Sequence, residues 1–261
     1  MQSGSLTVVG TGIRFTQMTM ESQEAIKTAG KVLYLVADPL SAAWIRELNP
    51  TAESLHLFYE DGKDRGITYK QMVDRILDEV RKGQEVCAAF YGHPGIFVNP
   101  SHEAIKLARE EGFTANMLAA VSAEDCLFAD LGIDPSVDGC QTFEATDFLV
   151  FKRQFDTTSS LIIWQIGCVG DLTFNPHPSD PSGINVLVDY LLEHYSPSHP
   201  AILYQSNVLP ICKPIIRYLT LAEIREATIN QITTLYIYPK ARRPVDEKHL
   251  SKLGLVQKVF A

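Results

Sequence analysis

The sequence predicts an α/β protein of two lobes built on mostly parallel sheets. Short β-branched apolar runs alternate with segments of helical periodicity along nearly the whole chain. Glycine-containing turns follow two of the apolar runs, at the ends of strands where α/β sheets open toward a ligand. The 261 residues are enough for two modest cores.

The first run, Ser5 to Val9, stops at Gly10-Thr11-Gly12 and reads as a buried strand entering a tight turn. Ser22 to Ala29 fits a helix, Lys31 to Ala37 a second strand, and Asp38-Pro39 a closing turn. From Tyr69 to Lys82, Met72, Val73, Ile76, Leu77 and Val80 recur at intervals of one, three and four, which gathers them on one helix face, and Gly83 ends that helix. Glu85 to Tyr91 is a strand stopped by Gly92-His93-Pro94-Gly95, and Ser101 to Glu111 is a helix with Ala104, Ile105 and Ala108 inward. Repeated strand, loop and helix imply a parallel sheet covered by helices.

In the second half, Leu161 to Ile166, Ala201 to Tyr204 and Thr233 to Tyr238 read as strands, and Gly183 to His194 and Leu221 to Ala227 as helices. A boundary near Met117 to Val121 gives lobes of residues 1–118 and 119–240. The tail, 241–261, continues a basic stretch begun at Lys240 with Arg242 and Arg243, then turns weakly helical.

Hydrophobic residues form 46% of the chain and charged residues 21%, a globular composition. A formal charge of −8 gives no broad attraction to phosphate backbones or anionic lipid, so neither nucleic acid nor membrane is expected as a partner. Cys87, Cys126, Cys140, Cys168 and Cys212 are odd in number and lack CxxC spacing, which points away from a disulfide framework or a zinc site and toward a reducing cytoplasm. No apolar run approaches the roughly 18 residues needed to cross a bilayer, and the first residues lack a signal-peptide pattern.

Gly10-Thr11-Gly12 brings backbone close to a ligand or simply makes a turn; Phe15 occupies the third glycine position of a dinucleotide fingerprint, which disfavours a nicotinamide site. Tyr91-Gly92-His93-Pro94-Gly95-Ile96-Phe97, at the carboxyl end of a strand, is the more specific candidate. Tyr59, Arg65 and Tyr69 flank the polar turn Glu60 to Asp64, as an anion-stabilising set or as solvated turn residues. Ser122 with Asp125 three residues on is a capping-box variant. No GxSxG, P-loop or HExxH is present, and His93 with His102 has no metal-ligand spacing.

Together, the strand-borne GTG, the YGHPG loop, VSAEDC and the two-lobed rhythm resemble the tetrapyrrole methylase superfamily, the class III S-adenosylmethionine methyltransferases. Phe58 to Lys63, Thr68 to Met72, Tyr91 to His102, Val121 to Asp130 and Gln165 to Gly170 resemble more closely the borosin-type methyltransferases, which methylate backbone amides of ribosomally made peptides. The resemblance implies a two-lobed fold with the active site in the inter-lobe cleft. It implies a catalytic set of Tyr59, Arg65, Tyr69 and Tyr91, and a family tyrosine three residues before Tyr59 is His56 here.

By the same resemblance S-adenosylmethionine contacts Gly10 and Gly12, Tyr91, His93, Pro94, Gly95, Ile96 and Phe97, Ser122 and Ala123, Gln165, Tyr204, Gln205, Ser206, and Thr234. A homodimer and a separate precursor peptide, methylated in trans, are the implied partners. Because the amide lone pair is delocalised, the transfer needs help from acid and base. Arg65 and Tyr69 are expected to hydrogen-bond the amide oxygen, Tyr59 to take the N–H proton with its phenol lowered by the guanidinium, and Tyr91 to position the methyl group. A porphyrin-type small-molecule methyltransferase and a catalytically idle peptide scaffold are the competing readings.

Overall fold

The computed structural model describes residues 3–36, 38–175 and 182–255. Its first sheet contains β1 (Ser5–Gly10), β2 (Lys31–Leu35), β3 (Glu53–Ser54), β4 (Glu85–Phe90) and β5 (Thr114–Met117), in the order β3-β2-β4-β1-β5. Every neighbouring pair is parallel. Its helices are α1 (Met20–Thr28), α2 (Pro39–Leu48), α3 (Arg65–Arg81) and α4 (Asn99–Glu110).

Both faces of this sheet are covered, which is why its strands are continuously apolar. Leu6, Val8 and Leu33 pack with Met72, Ile76 and Leu77 of α3 and Ala104 of α4. On the other face Val9, Val32 and Tyr34 meet Ile26 of α1 and Ile45 of α2.

Two expected boundaries move, for the same reason. Asp38-Pro39 does not close a turn: the Asp38 carboxylate accepts from the Leu40 and Ser41 amides and caps α2, with Pro39 in its first turn. Likewise Asp64 accepts from the Ile67 amide and starts α3 at Arg65, ahead of the apolar periodicity. The expected second strand ends at Leu35, and Ala37 lies outside the described residues.

The second sheet holds β6 (Cys140–Glu144), β7 (Ser160–Trp164), β8 (Pro200–Gln205), β9 (Ile215–Thr220) and β10 (Thr234–Ile237), ordered β6-β7-β10-β8-β9. Here the expectation of parallel pairing is corrected. Only β6 and β7 run parallel; β10 inserts between β7 and β8 antiparallel to both, and β8 pairs antiparallel with β9. The link from β8 to β9 carries no helical crossover, so the chain returns beside itself.

The remaining helices are α5 (Ala123–Leu131), α6 (Pro135–Asp138), α7 (Ala145–Val150), α8 (Ser182–Leu192) and α9 (Glu247–Lys252). Leu161 and Ile163 pack on Phe148 of α7 and Leu187 and Leu191 of α8, while Ile162, Tyr204 and Tyr236 meet Leu127 of α5. The helix expected over Leu221 to Ala227 is a 3-10 turn, Ala222–Glu226. Among the described residues no helix is long and apolar enough to cross a membrane.

Candidate active site

A cavity of about 190 Å³ opens where the carboxyl ends of β1, β4, β7 and β8 converge with the start of β10. Tyr91, His93, Ile96, Phe97, Ser122, Ala123, Gln165, Tyr204, Ser206 and Thr234 line it, bringing together residues from both sheets. Tyr91 and Phe97 are each nearly half exposed, and that apolar surface borders the cavity. Phe97 and Gln165 have positive φ, at 54° and 57°; Lys152 is the third non-glycine residue of this kind among those described. Two of these three rare conformations therefore border the cavity, where backbone strain commonly marks a ligand site.

Gly10, Gly12, Pro94, Gly95 and Gln205 do not line the cavity and instead support the loops that do. A Cβ on Gly10 would lie 2.3 Å from the Gly92 carbonyl oxygen and 2.4 Å from the Ala120 Cβ, so glycine there permits close packing of two loops. Gly12 bridges Gly92 through backbone hydrogen bonds. The Pro94 carbonyl accepts from the Ser101 hydroxyl, and the Gly95 amide donates to His93 Nδ1 at 3.0 Å. The Gln205 amide group donates to Thr233 and accepts from Asn230.

A second, more open cleft of about 660 Å³ adjoins the cavity and shares Phe97, Val98 and Gln165 with it. Arg65 and Tyr69 line this cleft. Being four residues apart on α3, they lie on one helix face. Tyr91 follows β4 directly, its amide donating to the Leu35 carbonyl at 2.9 Å. Tyr59 follows a 3-10 turn, Leu55–Phe58, and its amide closes that turn on His56.

Burial pushes the Tyr59 phenol above its ordinary value, and Tyr69 and Tyr91 push it further; only Arg65 pulls it down. The expected effect of the guanidinium is thus present in sign but outweighed, because removing a phenolate from water costs more than this one cation returns. Tyr91 is raised as well, by burial first and then by Tyr69 and Cys168. The Cys168 thiol is raised by burial and partly opposed by Arg65.

Residues 5–206 match the family described as tetrapyrrole (corrin/porphyrin) methylases. The chain belongs to that family. Over 93% of its length it is 46% identical to the methyltransferase/ribosomally synthesized cyclic peptide dendrothelin A precursor of Dendrothele bispora, covering 60% of that protein. Over 98% it is 45% identical to the corresponding omphalotin A precursor of Omphalotus olearius, covering 62%. A type III borosin cyclic peptide precursor of Anomoporia bombycina is 43% identical over 98% of the chain, which covers 30% of it. The chain therefore spans about 60% of the length of the first two relatives. These likenesses bear out the borosin resemblance carried by the motifs.

Among solved structures, the fold matches uroporphyrin-III-C-methyltransferase from Thermus thermophilus with a TM-score of 0.64 at 14% identity, covering 94% of this chain and 99% of that one. It matches a cobalt precorrin-4 methyltransferase at 0.62 and 17% identity, covering 90% and 94%.

Within this tetrapyrrole methylase family member, several site residues escape the sequence reading. Trp164 ends β7 and places its ring 6.0 Å from Phe97, yet in the sequence it is simply one more apolar strand residue. Glu124 lines the cavity, its carboxyl raised by burial and by Asp125; the VSAEDC string held it, as part of a cap and of the family resemblance, without marking it as a site residue. Asp171 and Leu172 line the open cleft opposite α3 and carry no local motif. Ser122 does cap α5 as expected, accepting from the Asp125 amide while its own amide donates to the Asp125 carboxylate. Among the described residues no His, Cys, Asp and Glu grouping of three or more could hold a metal ion.

Proposed function

We propose that this chain methylates backbone amide nitrogens of a ribosomally made precursor peptide, with S-adenosylmethionine as the methyl donor. The observation that carries the reading is the adjacency of two spaces: a mainly apolar cavity, and an open cleft bearing Arg65 and Tyr69, joined along Phe97, Val98 and Gln165. Tyr59 and Tyr91 feel the charge state of Tyr69 and so belong to the same cluster.

The cavity residues fit the cofactor. Ile96, Phe97 and Trp164 present flat or aliphatic surface suited to a purine, and Ser122, Glu124, Gln165 and Thr234 supply polar groups for a sugar and an amino-acid tail. The bound cofactor supplies an electrophilic methyl group on a cationic sulfur.

A peptide amide becomes nucleophilic as its proton leaves and charge moves to its oxygen. Arg65 and Tyr69 donate hydrogen bonds to that oxygen, Tyr59 receives the proton, and Tyr91 orders the approach. Burial raises the Tyr59 phenol, so its own proton must first pass to solvent before it accepts the amide proton. Arg65 favours that loss, and a bound cationic cofactor would add to its effect.

A polycarboxylate macrocycle is the poorer fit, because Asp64, Glu144 and Asp171 surround Arg65 in the cleft. Hydrogen bonds within the Asp171 turn hold that carboxyl below its ordinary range, keeping it ionised. In this reading residues 1–118 carry the catalytic set, residues 119–240 complete the cofactor site, and 241–261 form a tail. A homodimer acting in the cytoplasm on a separate precursor completes it.

Mass spectrometry of the purified chain with cofactor and a borosin-type precursor peptide added as a separate chain tests the reading. Stepwise methyl gain at backbone positions is expected, abolished by Arg65→Ala and strongly reduced by Tyr59→Phe. Methylation of a tetrapyrrole without peptide methylation would overturn it, as would cofactor binding without turnover. Sedimentation of the purified chain checks the dimer.

A further inference from the structure

Arg65 and Tyr59 are held in place by a segment from the other sheet's side of the molecule. Asp64 and Thr173 form an antiparallel bridge. Around it the Gly62 amide donates to the Phe174 carbonyl at 2.8 Å, the Phe174 amide to the Lys63 carbonyl at 2.8 Å, and the Arg65 amide to the Leu172 carbonyl at 2.9 Å. This short ladder joins the loop before α3 to the loop that follows β7, so main chain ties the start of α3 to the segment downstream of Gln165.

Two side-chain relationships are set by the ladder. The Arg65 guanidinium donates to the Asp171 main-chain carbonyl. The Asp171 carboxylate is occupied otherwise, accepting from the Thr173 amide at 2.8 Å and the Thr173 hydroxyl at 2.7 Å, which folds the turn that presents this carbonyl. A carbonyl aims the guanidinium by a directed hydrogen bond and leaves its remaining N–H groups free of a carboxylate fork. The Phe174 ring lies against Tyr59 with centroids 4.5 Å apart and planes at 31°, and His56 contacts both rings edge-on at 5.5 and 6.5 Å.

We propose that Asp171 to Phe174 form a positioning strap for methyl transfer, in which Asp171 orients Arg65 through its main-chain carbonyl and Phe174 seats the Tyr59 phenol. This rests on the reading that Arg65 and Tyr59 act on the peptide amide. Neither Asp171 nor Phe174 touches a reacting atom; each acts through its neighbour.

The test compares Asp171→Ala, Asp171→Asn, Phe174→Ala and Phe174→Tyr with the parent, measuring kcat, peptide KM, cofactor Kd and melting temperature. Asp171→Ala and Phe174→Ala are expected to lower kcat by about tenfold or more, as small misplacements of catalytic groups do. Peptide KM and cofactor Kd should stay within about twofold, the pattern of an interaction felt in the transition state. Asp171→Asn keeps the acceptor that folds the turn, and Phe174→Tyr keeps the ring, so both should recover most of the rate. An unchanged kcat in both alanine variants of an active parent would overturn the strap. So would a loss of cofactor affinity and melting temperature that matches the loss of rate.

A second arm needs no turnover. In protein carrying tyrosine labelled with carbon-13 at the phenol carbon, the Tyr59 resonance, assigned with Tyr59→Phe, should move in Phe174→Ala and stay in place in Phe151→Ala, an exposed control. A stationary Tyr59 resonance in Phe174→Ala would also overturn the strap. If the parent methylates no peptide, the proposed function falls, and the resonance alone judges the strap.

Discussion

Phe97 and Trp164 face one another from different sheets, with ring centroids 6.0 Å apart and planes inclined at 45°. Phe97 reaches this position from a left-handed backbone conformation in the loop after β4, and Trp164 from the last residue of β7. Phe97 is no member of a buried core, Trp164 packs into the one formed by Leu127, Ile162, Tyr204 and Tyr236, and both border the cavity.

Phe97→Ala should therefore weaken binding of S-adenosylhomocysteine while disturbing folding little. A loss of about tenfold, equivalent to roughly 1.4 kcal/mol, is expected by calorimetry. Because Phe97 is 48% exposed, the melting temperature should barely move. Parental affinity in this variant would remove the ring from the cofactor wall.

Gly10 and Gly62 should respond differently to alanine. A methyl at Gly10 meets backbone and proline atoms at 2.3 to 2.7 Å, so Gly10→Ala should cost about 3 kcal/mol in urea denaturation. Gly62 has φ of +74° and open space beyond it, so only the backbone preference is lost, at about 1 kcal/mol. Equal costs would show that loop packing at Gly10 is not tight.

The pH dependence of kcat should rise toward alkaline pH. Burial raises the Tyr59 phenol, and the proton acceptor acts only once deprotonated, so the rate increases as pH climbs toward that raised value. Tyr59→Phe should flatten the rise in a stopped-time mass assay. A parental profile in that variant would assign the proton acceptor elsewhere.

Glu53 provides a test of stability far from the site. Hydrogen bonds from Arg75, with Lys31 adding to them, hold its carboxyl down at about 2, against 4.5 for the ordinary group. A depressed carboxyl contributes stability above its unfolded value and loses it as pH falls from about 4.5 toward 2. Glu53→Gln should cost roughly 2 kcal/mol at neutral pH, the groups being only partly exposed, and almost nothing near pH 2. Chemical denaturation at both pH values checks the difference.

Legibility followed the physics of each element. The core of α3 and the strands β1 and β4 could be read because both are deeply buried and their apolar periods are unbroken. The helix α2 was hidden because Asp38-Pro39 serves equally well as a turn and as a helix start. The strand β9 is an edge strand with Ile215 and Tyr218 exposed, so it lacks a clean alternation, and the two-residue β3 is too short for any pattern. At the site, Tyr91 to Phe97 form one contiguous string, whereas Trp164, Asp171 and Phe174 each sit in unremarkable local sequence.

The sequence by itself determined the alternation of strands and helices, the glycine turns at strand ends and the family, because these are written in local periodicity and contiguous motifs. Tertiary structure alone decided the antiparallel insertion of β10, the outweighed pull of Arg65 on Tyr59, and the ladder from Asp171 to Phe174 that holds both. Strand direction, desolvation and contacts between distant loops depend on how the chain returns through space, and no local run of residues encodes that.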